Sequence, residues 1–193
     1  MTTSSNVNKH PLLHIRHTNQ YGKGVFAGEA IKQGSVVYVL AGERMDVFDL
    51  VARVNSGKER ANDPLQVGRR TYIDLDDVSR TFNHSCDPSL GIRKNSELFA
   101  LRYISKGEQL TFDYSATIAP TVWKMTCKCG SQYCRKTIGD VRSVPKTQLE
   151  CYRKAGALQT YMKAVLKLIS GGQYRIPKYE LEALRRLKKT SEE

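Results

Sequence analysis

Three cysteines fall within CKCGSQYC, residues 127–134, and that crowding constrains this chain more than any other feature. Thiols spaced C-x-C-x4-C can converge on one tetrahedral ion, with Gly130 permitting the reversal between Cys129 and Cys134. Zinc takes four ligands, each sulfur at about 2.3 Å, so the cluster is one short. The plain alternative is three unrelated thiols. If a fourth ligand exists, it comes from Cys86, Cys151 or a histidine. Cys151 lies between Leu149 and Tyr152 in an apolar helical pattern, where a buried spare thiol is commonplace. Cys86 lies in the polar stretch RTFNHSCDPSL, residues 80–90, which suits a ligand better. The cysteine total of five is odd, and in a reducing compartment such a pattern favours metal over disulfides.

The remaining totals bound the class. At 193 residues, 40% hydrophobic and 26% charged, the chain has room for one domain with a real core plus an appendage. No window approaches the 18 or so apolar residues of a membrane span. The N-terminal MTTSSNVNKH has no apolar core like a signal peptide's. The expected address is intracellular: cytoplasmic for a bacterial protein, nuclear for a eukaryotic one or a translocated effector. The net charge of +12 points to polyanionic partners or to solubility. It is uneven: residues 141–193 hold 12 Lys+Arg against 5 Asp+Glu, over half of the excess in the last quarter of the chain.

Residues 1–11 read as a flexible polar tail. From Leu12 to Leu40, short β-prone runs (LLHIRH, YGKGVFAGEAI, GSVVYVLAG) are broken by glycines. Val47, Leu50, Val51 and Val54 recur at helical spacing, with Asp46 as N-cap and Gly57 as stop. LQVGRRTYIDL reads as a hairpin around Gly68, and SELFALRYISKGEQLTFDYS as two strands around Lys106–Gly107. After Pro120 the chain is cysteine-rich and irregular. Beyond Pro145 it is helical, with an apolar stripe of Leu149, Tyr152, Leu158, Tyr161, Met162, Val165, Leu166 and Ile169 interrupted at Gly156. A break at SGGQY precedes a second helix, KYELEALRRLKK.

Two further motifs carry chemistry. In YGKGVFA, glycines two apart let a backbone pass close to a ligand or simply make a tight turn. The third glycine and following helix of a dinucleotide fingerprint are missing, which removes that reading. In NHSCDP, residues two apart in an extended segment point the same way, so His84 and Cys86 allow the dyad of a Cys/His hydrolase. A cysteine bound to metal cannot also be a free nucleophile. Asn83 and His84 would then be held beside a rigid node for another purpose, or His84 would be an ordinary hydrogen-bonded core residue.

Taken together and in order, YGKGVFA, RTFNHSCDP, GEQLTFDYS and CKCGSQYCRK resemble the SET-domain family of protein-lysine methyltransferases with its post-SET zinc segment. The resemblance covers residues 12–140, divided into a SET domain at 12–119 and a post-SET segment at 120–140. LECYRKAGALQTYM, in the basic helical extension at 141–193, looks like that of small stand-alone SET proteins, many of them bacterial. The resemblance implies a mainly β fold with short helices, in which several small sheets surround a pseudoknot-like crossing. It implies S-adenosylmethionine as methyl donor, with Lys23, Gly24, Val25 and Phe26 along it. Asn83 and His84 would hydrogen-bond its amino-acid and adenine parts, Arg80 would approach its carboxylate, and Ile138 would take an apolar role beside it. Tyr114 would be the catalytic tyrosine, also near the cofactor, and Phe112 would influence how many methyls are added. Cys86 would join Cys127, Cys129 and Cys134 on one structural Zn²⁺. In CRKTI, Lys136 replaces the family's usual glycine. Phe112 lacks the extra hydroxyl of a tyrosine and leaves more room, which implies di- or trimethylation.

The partner so implied is a basic protein or peptide presenting a lysine, with no membrane. A competing reading is an inactive SET-like module that holds nucleic acid or chromatin through its basic tail. The tail's helices either pack on the core with their charges solvated, or serve as a docking arm or dimer contact.

Overall fold

The computed structural model describes residues 11–19, 22–60, 63–121, 123–176, 178 and 181–182. The expected loose tail at 1–10 and most of the second C-terminal helix therefore lie outside the described residues. No helix among them is long and apolar enough to cross a membrane.

The chain opens with an antiparallel ribbon of β1 (Leu13–Thr18) and β2 (Gly22–Ala27). Next come β3 (Val36–Val39), β4 (Gly42–Asp46) and α1 (Val47–Asn55). The Asp46 carboxylate caps α1 by accepting from the Phe48 and Asp49 N–H groups at 2.7 and 2.9 Å. Val47, Leu50 and Val54 are its buried face, as the spacing predicts. The hairpin around Gly68 is present as β5 (Leu65–Gln66) and β6 (Thr71–Leu75), which join β4 in a sheet of order β4-β6-β5. After β7 (Asn83–His84) come β8 (Leu90–Arg93) and β9 (Glu97–Ala100), which make a second sheet of order β3-β9-β8. The strands flanking Lys106–Gly107 exist, but they do not pair with each other. The later one, β10 (Thr111–Phe112), runs parallel to β7, with Thr111 opposite Asn83 and Phe112 opposite His84. The fold is thus mainly β, built of several small sheets with short helices.

The cysteine-rich segment corrects the expectation of irregular chain. β11 (Lys124–Thr126) and β12 (Thr137–Gly139) pair antiparallel and close a loop that carries the three cysteines. Their alternation is too short to show as a period in the sequence.

The two largest apolar clusters sit under this framework. One joins Val25 and Ala27 of β2 to Val37, Ile73, Phe82, Leu98, Ile104, Leu110 and Phe112. The other is made largely by the C-terminal extension, which folds as α2 (Lys146–Lys154) and α3 (Thr160–Ser170), separated near Gly156. Tyr152, Leu158, Met162 and Val165 pack with Phe99, Ala116, Ala119 and Val141. The packing is close enough that a Cβ on Gly91 would lie 2.5 Å from Ala157 Cβ. The two helices are therefore part of the core, and their lysines line the outer face.

Candidate active site and metal centre

The parallel contact of β7 with β10 is where the sequence motifs meet. It places Asn83 beside β2: its Nδ2 donates to the Lys23 carbonyl at 3.0 Å. A Cβ on Gly24 would lie 2.6 Å from Gln109 Nε2 and 2.9 Å from Asn83 Nδ2, so only glycine lets the strand run this close. Lys23 is exposed, Val25 is wholly in the core, and Phe26 is half-buried with the Arg16 guanidinium 5.6 Å from its ring centre.

Tyr114 follows β10 directly, at the start of a short 3₁₀ turn, Tyr114–Thr117. Its hydroxyl donates to the Phe82 carbonyl at 2.8 Å, which fixes the phenol and leaves oxygen lone pairs able to accept. Its ring lies 4.9 Å from Phe112 and 5.3 Å from His84, centre to centre, both tilted. Ile138, fully buried on β12, packs with Tyr114 and the cysteines.

His84 is neutral: burial, aided by the nearby Arg135 charge, pulls its pKa down to about 3. Its Nδ1 accepts from the Tyr114 N–H at 3.2 Å, which leaves the proton on Nε2, 3.3 Å from Cys86 Sγ. The ring is thus committed to the protein, and the His84 main chain is what it can offer a ligand.

The four thiols of Cys86, Cys127, Cys129 and Cys134 lie within 4.8 Å of one another and could hold a metal ion. Cys86 Sγ is 3.8 Å from Cys127 Sγ, matching the edge of about 3.8 Å that four sulfurs make around zinc. Cys86 Sγ also faces three N–H groups: His84 Nε2, the Arg135 amide at 3.4 Å and Arg135 Nε at 3.3 Å. The Lys136 amide donates to Cys134 Sγ at 3.4 Å. Sulfurs that collect N–H donors are in the setting of metal-bound thiolates. Burial pushes the Cys127 and Cys86 thiols up, and repulsion among the sulfurs adds to this. At Cys129 burial acts the same way, but hydrogen bonds outweigh it and hold the thiol down to about 7. The group therefore resists full ionisation by itself, and a dication would relieve it. Cys151, by contrast, is exposed on α2.

Lys136, where the resemblance implies a glycine, has a left-handed backbone with φ of 62°. An L side chain pays about 1 kcal/mol there, so Lys136→Gly should raise the denaturant midpoint by up to that equivalent. A lowered midpoint in an equilibrium unfolding titration would count against the strain.

The structure does not bring Arg80 into this group. Its guanidinium meets Glu59 at 2.9 Å and Asp63 at 3.3 Å, and also Asp74 and the Leu75 carbonyl. That surface is spent on protein oxygens. Sequence reasoning missed Arg135 and Asp113, which are joined at 2.6 Å and nearly buried. Arg135 is a bridge: besides Asp113 and Cys86 it reaches the Ser143 carbonyl at 3.4 Å. Burial raises the Asp113 carboxyl above its usual range, opposed by Arg135 and by hydrogen bonds from Ser115 and Tyr152. The only signal was their adjacency to motif residues, Arg135 after Cys134 and Asp113 before Tyr114.

Comparison with known proteins gives a consistent picture. Residues 22–115 match the SET domain family model. The chain is 31% identical over 147 residues to the histone-lysine N-methyltransferase ASHH3 of Arabidopsis thaliana, covering 69% of this chain and 40% of that protein. It is 32% identical over 142 residues to the probable histone-lysine N-methyltransferase set-23 of Caenorhabditis briggsae, covering 64% of this chain and 59% of that one. The chain thus spans about two fifths to three fifths of these relatives. Among solved structures, the methyltransferase domain of human SETMAR superposes with a TM-score of 0.55 at 23% identity, covering 68% of this chain and 59% of that one. KRYPTONITE, in complex with mCHG DNA and SAH, superposes at 0.52 and 23%, covering 66% and 29%. Both show likeness of fold.

Proposed function

This chain belongs to the SET-domain family, and from that premise we propose that it is an S-adenosylmethionine-dependent protein-lysine N-methyltransferase. The observation that carries the proposal is the Tyr114 hydroxyl anchored on the Phe82 carbonyl at the β7–β10 contact, beside Phe112 and the β2 backbone that Asn83 holds.

The donor, when bound, supplies an electrophilic sulfonium methyl. This chain's work is then to align an uncharged amine with it. A free lysine amine has a pKa near 10.4 and is mostly protonated at neutral pH. An apolar aromatic wall such as Phe112 and Tyr114 favours the neutral form. The Tyr114 oxygen, its own proton directed at Phe82, can accept an N–H from that amine and fix its lone pair in line. The same ring faces can receive the cationic product. No carboxylate base is required beside the ring.

Zinc is the metal we assign to the Cys86, Cys127, Cys129 and Cys134 cluster, since four thiolates and no open position suit a structural site. It would lower the formal charge from +12 to +10. The acceptor we propose is a lysine in a histone, histone-like or other basic protein. The test is transfer of labelled methyl to a panel of such proteins, followed by site mapping.

Phe112 carries no hydroxyl to restrict rotation of a partly methylated amine, so di- or trimethyllysine is expected. Mass spectra that stop at monomethyl product under excess donor would remove this assignment.

A further inference from the structure

Two tyrosines of the C-terminal extension send their hydroxyls to the same four-residue turn. Tyr152 of α2 donates to Asp113 Oδ2 at 3.2 Å, on the residue that opens the turn. Tyr161 of α3 donates to the carbonyl of Thr117, the residue that ends it. Between these two points the Tyr114 main chain is fixed at both sides. Asp113 Oδ1 accepts from the Ser115 N–H at 3.0 Å, Thr117 Oγ1 donates to the Tyr114 carbonyl at 2.8 Å, and the Tyr114 N–H donates to His84. A third contact from beyond β12 meets the middle of the turn, Ser143 Oγ to Ser115 Oγ at 3.1 Å.

A buried tyrosine generally finds a partner for its hydroxyl, so one such bond would mean little. Here both hydroxyls of one appendage reach opposite ends of one turn, and that turn begins with Tyr114. Phenylalanine at either position would fill much the same space with no polar group to satisfy. We propose that Tyr152 and Tyr161 are positioning residues that clamp the Tyr114–Thr117 turn and so hold the Tyr114 hydroxyl in register for methyl transfer. The extension is then a working part of the site, although neither residue faces the reacting atoms. The role in transfer rests on the reading of Tyr114 given under Proposed function. The clamp itself does not.

The test uses the full chain with Tyr152→Phe, Tyr161→Phe and the double variant. Small misplacements of aligning groups cost up to about a hundredfold in rate. Each single variant should lose roughly tenfold in kcat, and the double roughly a hundredfold, with KM for donor and acceptor within about twofold. Amide hydrogen exchange over residues 112–118 should quicken in the variants while exchange in β3, β9 and β6 stays as in the wild type. A merely structural role predicts otherwise: kcat falls only with the folded fraction, and exchange rises across the whole chain. Either that pattern, or unchanged kcat and unchanged exchange, overturns the proposal. If the wild-type chain methylates nothing in the panel, the functional reading fails. Exchange over 112–118 still decides the clamp, faster upholding it and unchanged overturning it.

Discussion

Tyr114→Phe is expected to lower methyl transfer by at least about two orders of magnitude while leaving the fold and the metal in place. The variant keeps the ring, its 4.9 Å contact with Phe112 and its packing on Ile138. It removes the oxygen proposed to accept from the substrate amine, and it leaves the Phe82 carbonyl without that donor. The lost bond costs stability of about 1 kcal/mol, a few degrees of melting temperature. Donor binding by calorimetry should change little, because the variant keeps the Tyr114 ring and the other proposed donor contacts lie on β2, β7 and β12. The decisive comparison is labelled-methyl transfer with matched amounts of folded, metal-replete protein. Retention of more than a tenth of wild-type kcat would move the chemistry away from Tyr114. Loss of donor binding as well would recast the hydroxyl as a cofactor contact.

The features that could be read in advance are those with a local cause. α1 was legible because an aspartate cap and an apolar stripe occur together, and the structure keeps both. The strands on either side of the glycine turns were legible for the same reason. The parallel pairing of β7 with β10 was not, since two-residue strands have no period and their partners lie far apart in sequence. The sequence motifs pointed at the meeting place only through family resemblance. Tyr152 and Tyr161 belong to the apolar stripe, and their rings are packed in the second cluster. The destinations of their hydroxyls depend on tertiary structure that a helical period does not encode. The same holds for Arg135, whose three partners come from separate segments of the chain. Arg80 shows the converse: a charged residue beside the NHSC motif invites a ligand role, yet it meets three carboxylates, Glu59 and Asp63 from the loop after α1 and Asp74 from β6.

Thiol counting provides the second large test, because the five cysteines divide by environment. The native protein is expected to contain one equivalent of zinc and to show one fast thiol, Cys151, toward a colorimetric disulfide reagent. The other four should react only after a strong chelator is added. Removing the metal leaves crowded thiols that cannot all ionise, and it releases the loop between β11 and β12. Structural zinc sites in small peptides contribute about 10–16 kcal/mol, comparable with the whole stability of a domain. Here the first apolar cluster and the cysteine cluster have no buried residue in common and meet only at the half-buried Tyr114. Chelation should therefore unfold residues 120–140 and disturb α2 through Arg135 and Asp113, while β3, β9 and β8 persist. Cys86→Ser should reproduce this outcome without chelator, since it removes both a ligand and the sulfur that ties β7 to Arg135. Rapid alkylation of Cys86 in metal-replete protein, ahead of Cys151, would favour a nucleophile and would falsify the metal assignment. Equal reactivity of all five thiols would do the same, because no ordered cluster would then exist to protect four of them.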